Sequence, residues 1–160
     1  MTHSPEQSQF VVQLHDATTL HFDLRLRFGE ILRSWAVPKG PSLDPSVRRL
    51  AVPVDDHQLS AGDFEGVHEG SSRGTGAVII WDEGSAQILH EEPDHLSFVL
   101  EGSKLTGGFA LTKTGERRWI LVKVRDDHAR TGSDIVAEQP FSIRSGKTVY
   151  EVANDDASPG

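Results

Sequence analysis

The chain has 160 residues, 36% of them hydrophobic and 25% charged, which fits one soluble domain able to bury a core without cross-links and excludes a disordered chain. It has no cysteine, so disulfides, thiolate nucleophiles and cysteine-held zinc are excluded together, and any metal must be held by His, Asp or Glu. The net charge of −8 argues against a nonspecific coat for nucleic acid, and no apolar run approaches the ~18 residues of a membrane span.

Residues 1–8 are polar and read as a loose tail, with none of the features of a signal peptide, so a cytoplasmic monomer is expected. Gln9 to Leu14 is β-rich and ends at His15; Asp16 to Thr19 reads as a turn. Leu20 to Phe28 alternates as a strand, Gly29-Glu30 has hairpin chemistry, and Ile31 to Val37 returns as its partner. The proline-rich segment from Pro38 to Pro45 is a rigid loop that aims Lys39. Leu50 to Val54 is a short strand leading to Asp55-Asp56-His57. Gly70 to Gly76 is a flexible loop ahead of a strand over Ala77 to Trp81, which Asp82-Glu83-Gly84 is expected to stop. Further strands are expected at Ala86–His90, Leu96–Leu100, Gly108–Lys113 and Trp119–Val124, with a helical turn only at Asp126 to Arg130. Short strands at this spacing predict a mainly β fold, an antiparallel sandwich or barrel with little helix. Residues 9–150 form the domain and 151–160 an acidic, frayed tail.

The chemistry concentrates between His15 and Arg25. On the Leu20–Phe28 strand, His21, Asp23 and Arg25 share one parity, and Phe22, Leu24 and Leu26 the other. The polar three therefore line one face while the apolar three enter the core. His15 returns to that face across the turn. Two imidazoles and a carboxylate form a facial metal triad suited to Mn, Fe, Zn or Ni. Singly, each histidine is an ordinary packed or surface imidazole; the set with Arg25 on one face is costly to bury without partners. Arg25 beside a metal suits an anion such as phosphate or carboxylate.

Charge distribution agrees with a small anionic target. Arg25 to Arg49 carries six basic and two acidic residues, whereas Asp55 to Glu69 carries five acids and no Lys or Arg. Lys39 and Arg49 are candidates for added phosphate contacts, and His57 for a proton donor or relay. The pair His15-Asp16 sits in strand context, unlike the helical HD phosphohydrolases. Gly70–Gly76 lacks the Gly-Lys-Ser/Thr end of a P-loop, and there is no Gly-x-Ser-x-Gly elbow. Trp35, Trp81 and Trp119 lie inside apolar runs and are expected in the core.

The stretch His15-Asp16-Ala17-Thr18-Thr19-Leu20-His21-Phe22-Asp23-Leu24-Arg25-Leu26 resembles the signature of the 3′-phosphoesterase domain of bacterial DNA ligase D. The likeness continues through Ser34 to Ser42, Asp55-Asp56-His57, Asp63 to Gly66, Ile80 to Gly84, Leu105 to Gly107, Trp119 to Lys123 and Ser145 to Thr148, and so covers roughly residues 9–150. The resemblance implies a compact β-barrel with a Mn-dependent site in a polar crescent. It implies removal of a 3′-terminal ribonucleoside from a DNA strand to leave a 3′-phosphate, then hydrolysis to a 3′-hydroxyl, in repair alongside a ligase or end-joining proteins. By it, His15, His21 and Asp23 are metal ligands, Arg25 and His57 contact phosphate, and Gln13, Lys39 and Arg49 are supporting polar groups. No polymerase or ligase module is expected, making this a stand-alone version. The chain departs from the pattern at Ala61, where the family has an active-site tyrosine, and at Val67 to Gly74, which lacks an aromatic and offers His68 and Arg73 instead.

Two other functions fit the residues. A non-haem Fe(II) oxygenase also uses two histidines and a carboxylate on a β-barrel, with Arg25 gripping a 2-oxo acid. A non-catalytic module that binds 3′-phosphorylated ends for a ligase is the other.

Overall fold

The alternation that marks Leu20–Phe28 as a strand holds in the computed structural model, which describes residues 9–68 and 74–157. Its apolar parity, Phe22, Leu24 and Leu26, is buried in the hydrophobic core with Trp35, Trp81 and Trp119. The strands are β1 (Phe10–Asp16), β2 (Leu20–Phe28), β3 (Ile31–Val37), β4 (Arg49–Gln58), β5 (Gly66–Val67), β6 (Ala77–Glu92), β7 (His95–Gly102), β8 (Thr106–Gly115) and β9 (Arg118–Lys123). They form one sheet in the order β1-β2-β3-β4-β9-β8-β7-β6-β5, and β1 also pairs with β6. That last antiparallel pairing closes the sheet into a barrel-like ring, so the expectation of an antiparallel β architecture with little helix stands. The tail expected at residues 1–8 lies outside the described residues.

Three expectations need correction. Asp82-Glu83-Gly84 does not stop a strand; β6 runs through it. The Asp82 carboxylate is fully buried and accepts from the backbone N–H groups of Ser103, Lys104 and Leu105 at 2.9, 3.2 and 2.8 Å, which holds the β7–β8 turn against β6. Burial pushes the Asp82 pKa up although these donors pull it down. Gly84 allows β7 to approach closely, since a Cβ there would lie 2.1 Å from the Glu101 carbonyl oxygen.

Second, the helical turn expected at Asp126 to Arg130 is an isolated turn closed by Ala129 N donating to the Asp126 carbonyl at 3.1 Å; the helices are α1 (Ile135–Glu138) and α2 (Val149–Ala157). Third, α2 occupies what reads as a frayed tail. Its start is a capping box: Glu151 N donates to Thr148 Oγ1 at 3.2 Å, and Thr148 N donates to Glu151 Oε1 at 3.0 Å. Val149 and Val152 are buried against the core, so the packed unit extends beyond residue 150. Among the described residues no helix is long and apolar enough to cross a membrane.

Lys123 is 1% exposed, and its ammonium donates to Asp126 Oδ1 at 2.7 Å and to the Val124 carbonyl at 3.0 Å. Burial opposes ionisation of Asp126, but hydrogen bonds from Lys123, Gly108 N and His128 N outweigh it and hold its pKa at about 2. Because the folded value is depressed, the stabilisation is complete above the ordinary carboxylate pKa near 4 and is lost as pH falls toward 2, amounting to roughly 1 kcal/mol after solvent screening of this partly exposed group. Asp126→Ala strands a buried ammonium and should cost about 2–3 kcal/mol at neutral pH. Urea titration checks both: the variant should show a lower midpoint at unchanged slope, and a smaller stability loss than wild type between pH 4 and pH 2.

Candidate active site

The site is built on the outer face of the ring from the register of β1 and β2. His15 pairs with His21, Gln13 with Asp23, and Val11 with Arg25, so the polar parity of β2 meets Gln13 and His15 on β1. One ligand atom from each of His15, His21 and Asp23 lies within 4.8 Å of the others. The Thr19 carbonyl, an acceptor only, lies 3.1 Å from His21 Nδ1, which places a proton on Nδ1 and leaves the Nε2 lone pair outward. That nitrogen faces Asp23 Oδ2 at 3.3 Å. A lone pair facing a carboxylate oxygen at this distance calls for a cation shared between them. Without a metal a proton takes the place, and the hydrogen bond to Asp23 raises the His21 pKa. Burial, followed by the proximity of His21, lowers that of His15 and favours its neutral, ligating form. The donor set therefore fits a divalent metal.

Arg25 is mostly buried and fixed by three hydrogen bonds. Nε donates to Gln13 Oε1 at 2.6 Å, and Nη1 donates to Ser34 Oγ at 2.9 Å and to His57 Nδ1 at 3.1 Å. Nη2 leans toward Asp23 Oδ2 at 3.7 Å, beyond hydrogen-bond length. Three of the five guanidinium N–H groups are thus committed, and among the described residues the Nη2 pair has no hydrogen-bond partner, which leaves it for an anion. Gln13 cannot flip: its Nε2 donates to the carbonyls of Ala61 and Phe64, both at 3.0 Å, so Oε1 must face Arg25. Since Arg25 only donates, His57 Nδ1 accepts and the ring carries its proton on Nε2. In this tautomer His57 offers a hydrogen bond from Nε2. Proton transfer to a leaving group, expected from sequence, would instead require protonating Nδ1 and breaking the Arg25 bond.

His57 reaches this face because of a β-bulge. Ser34 pairs with Val54 but Leu32 pairs with His57, so β4 has one extra residue around Asp55-Asp56 and the parity turns over. Beyond His57 the chain crosses the outer face as a strap, through the 3₁₀ turn Leu59–Asp63 to β5. Gly62 lets the strap lie flat, because a Cβ there would stand 3.0 Å from Val11 Cγ1 and 3.2 Å from Leu32 Cδ1.

Under the strap lies a cavity of about 230 Å³ lined by Gln13, His15, Asp23, Arg25, His57, Ala61, Phe64, His68 and Val78. Small-molecule pockets run to roughly 300–1,000 Å³, so this one suits only a small ligand or one end of a larger one. Six of the residues singled out from sequence meet here: Gln13, His15, Asp23, Arg25 and His57 line the cavity, and His21 completes the triad. Two do not line it. Lys39 is exposed just beyond Val37, which pairs with Phe22. Arg49 shares the parity of Ala51, a core residue, which faces away from the site. Sequence reasoning passed over Ser34 as a partner of Arg25, although hairpin register sets the two opposite each other, and Phe64, whose ring stacks on His68 at 4.3 Å. Arg73, with residues 70–73 of the glycine-rich loop, lies outside the described residues.

The sequence profile of the DNA Ligase D 3′-phosphoesterase domain matches residues 13–113. The chain belongs to the DNA ligase D 3′-phosphoesterase family. It is 44% identical, over 94% of its length, to the multifunctional non-homologous end joining protein LigD of Pseudomonas aeruginosa, of which it covers 19%. It is 36% identical over 73% of its length to the multifunctional non-homologous end joining DNA repair protein LigD of Mycobacterium tuberculosis, covering 16% of that protein. Against the LigD of Mycolicibacterium smegmatis the figures are 34%, 74% and 17%. The chain thus spans under a fifth of these relatives. The family's matched segment contains the triad, Arg25, His57 and the whole strap.

Proposed function

We propose that this chain is a metal-dependent phosphoesterase that heals the 3′ ends of DNA strands during end joining. It removes a 3′-terminal ribonucleoside to leave a 3′-phosphate, and then hydrolyses that phosphate, consuming one water and releasing inorganic phosphate and a 3′-hydroxyl. The observation that carries this reading is the immobilised Arg25 guanidinium, its Nη2 donors free of hydrogen bonds among the described residues, beside the His15, His21 and Asp23 cluster. Membership of the family supports it and weighs against the oxygenase alternative.

His15, His21 and Asp23 would hold the ion, for which we propose Mn. Bound there, it supplies Lewis acidity toward a phosphate oxygen and acidifies bound water. The chain's own residues do the rest. Arg25 binds the non-bridging oxygens and stabilises the charge they gather in the transition state. His57 donates a hydrogen bond from Nε2 to the same phosphate. Gln13 keeps the guanidinium in plane, linking the strap to catalysis. Lys39, exposed beside the His21 end of β2, adds charge for the strand backbone. DNA 3′ ends are the substrate, a ligase or other end-joining proteins the partners, and the protein acts as a monomer.

The test is incubation with Mn and an end-labelled primer–template ending in one ribonucleotide. Sequential appearance of 3′-phosphate and 3′-hydroxyl products is expected. Binding of the 3′-phosphorylated strand without turnover would make this a non-catalytic end-binding module.

A further inference from the structure

We infer that His68 is a second imidazole contact for the substrate phosphate, in the same cavity as the Arg25–His57 pair. This rests on the phosphoesterase reading above. The strap carries His57 where it leaves β4 and His68 where it ends beyond β5, and both line the cavity. Of the segment that follows His57, the cavity is lined by Ala61, Phe64 and His68, and His68 is the polar side chain among these three.

The ring is placed rather than free. It stacks on Phe64 with centroids 4.3 Å apart and planes 17° apart, and sits edge-on to His15 at 5.5 Å. Its backbone is tied back to the ligand strand: His68 N donates to the Gly76 carbonyl, and Gly76 N to the Asp16 carbonyl, both at 2.9 Å. Thr75 Oγ1 and N both donate to Asp16 Oδ2, at 2.7 and 3.1 Å. His68 therefore keeps its position relative to His15 through Asp16, the next residue along β1. Yet it stays outside the cluster of possible ligand atoms, which comprises His15, His21 and Asp23. An imidazole that lines the cavity beside a metal site but lies outside its ligand set is placed to meet the bound anion rather than the ion.

The experiment compares wild type, His68→Ala and His68→Gln. Mn binding is measured by calorimetry, inorganic phosphate binding to the Mn-loaded protein by the same method, and turnover on a 3′-phosphorylated primer. For His68→Ala we expect Mn affinity within twofold of wild type, phosphate affinity at least tenfold weaker, and kcat/KM lower by about 10–10²-fold. His68→Gln, which keeps an N–H donor, should recover part of both losses. A loss of Mn affinity comparable to that of His15→Ala would overturn the proposal by making His68 a ligand, and unchanged phosphate binding would overturn it by making His68 mere wall. The phosphoesterase reading fails separately, if wild type binds Mn and phosphate but turns nothing over.

Discussion

An Asp23→Ala protein should bind Mn at least 10²-fold more weakly than wild type and lose 3′-phosphate hydrolysis by on the order of 10³-fold or more. Asp23 is the one carboxylate of the cluster and stands between His21 and Arg25. Its Oδ2 lies 3.3 Å from His21 Nε2 and 3.7 Å from Arg25 Nη2. Removing it subtracts the only anionic ligand and leaves Arg25 facing the metal position without an intervening negative charge, so the two losses compound. Asp23→Asn separates them: the amide keeps the volume and an oxygen donor but not the charge, and should bind Mn better than Asp23→Ala while remaining nearly inactive. Calorimetry with Mn and a coupled phosphate-release assay check the pair. Equal Mn affinity for Asp23→Ala and wild type would remove this cluster as the metal site.

That site was legible in sequence because strand alternation is a strict rule where one face is buried. Phe22, Leu24 and Leu26 commit β2 to one orientation, and His21, Asp23 and Arg25 follow without further information. His15 required only that the Asp16–Thr19 turn be tight, which the His15–His21 pairing shows. His57 was different. Counting parity along β4 from Val54 puts it on the wrong face, and the bulge at Asp55-Asp56 that corrects it has no mark in the sequence beyond two exposed aspartates. Gln13 entered only through family resemblance, since its importance lies in two backbone carbonyls, of Ala61 and Phe64, that a linear reading does not bring near it.

Helix α2 was a missed signal rather than an absent one. Thr148-Val149-Tyr150-Glu151 is a capping box, but the acidic residues after it and the terminal Pro-Gly drew the reading toward a frayed tail. Strand β6 was the opposite case. Asp82-Glu83-Gly84 has the composition of a turn, and only the burial of Asp82 under three backbone donors explains why the strand continues.

Arg25→Lys should be nearly as damaging as Arg25→Ala, each lowering kcat/KM by about 10²–10⁴-fold with Mn affinity within severalfold of wild type. Arg25 does more than supply positive charge. Its planar fork joins Gln13 on β1, Ser34 on β3 and His57 on β4, and a single ammonium cannot reach all three while still facing the cavity. When the Nη1 bond to His57 is lost, nothing fixes the tautomer of the neutral ring, and it no longer has a defined Nε2 donor. The His57 contribution should therefore disappear with Arg25: His57→Ala in the Arg25→Lys background should cost much less than His57→Ala alone. Steady-state kinetics on a 3′-phosphorylated primer for the two single variants and the double variant measure that coupling. Additive losses would mean that the two residues act on the phosphate independently, and that the 3.1 Å contact between them has no catalytic consequence.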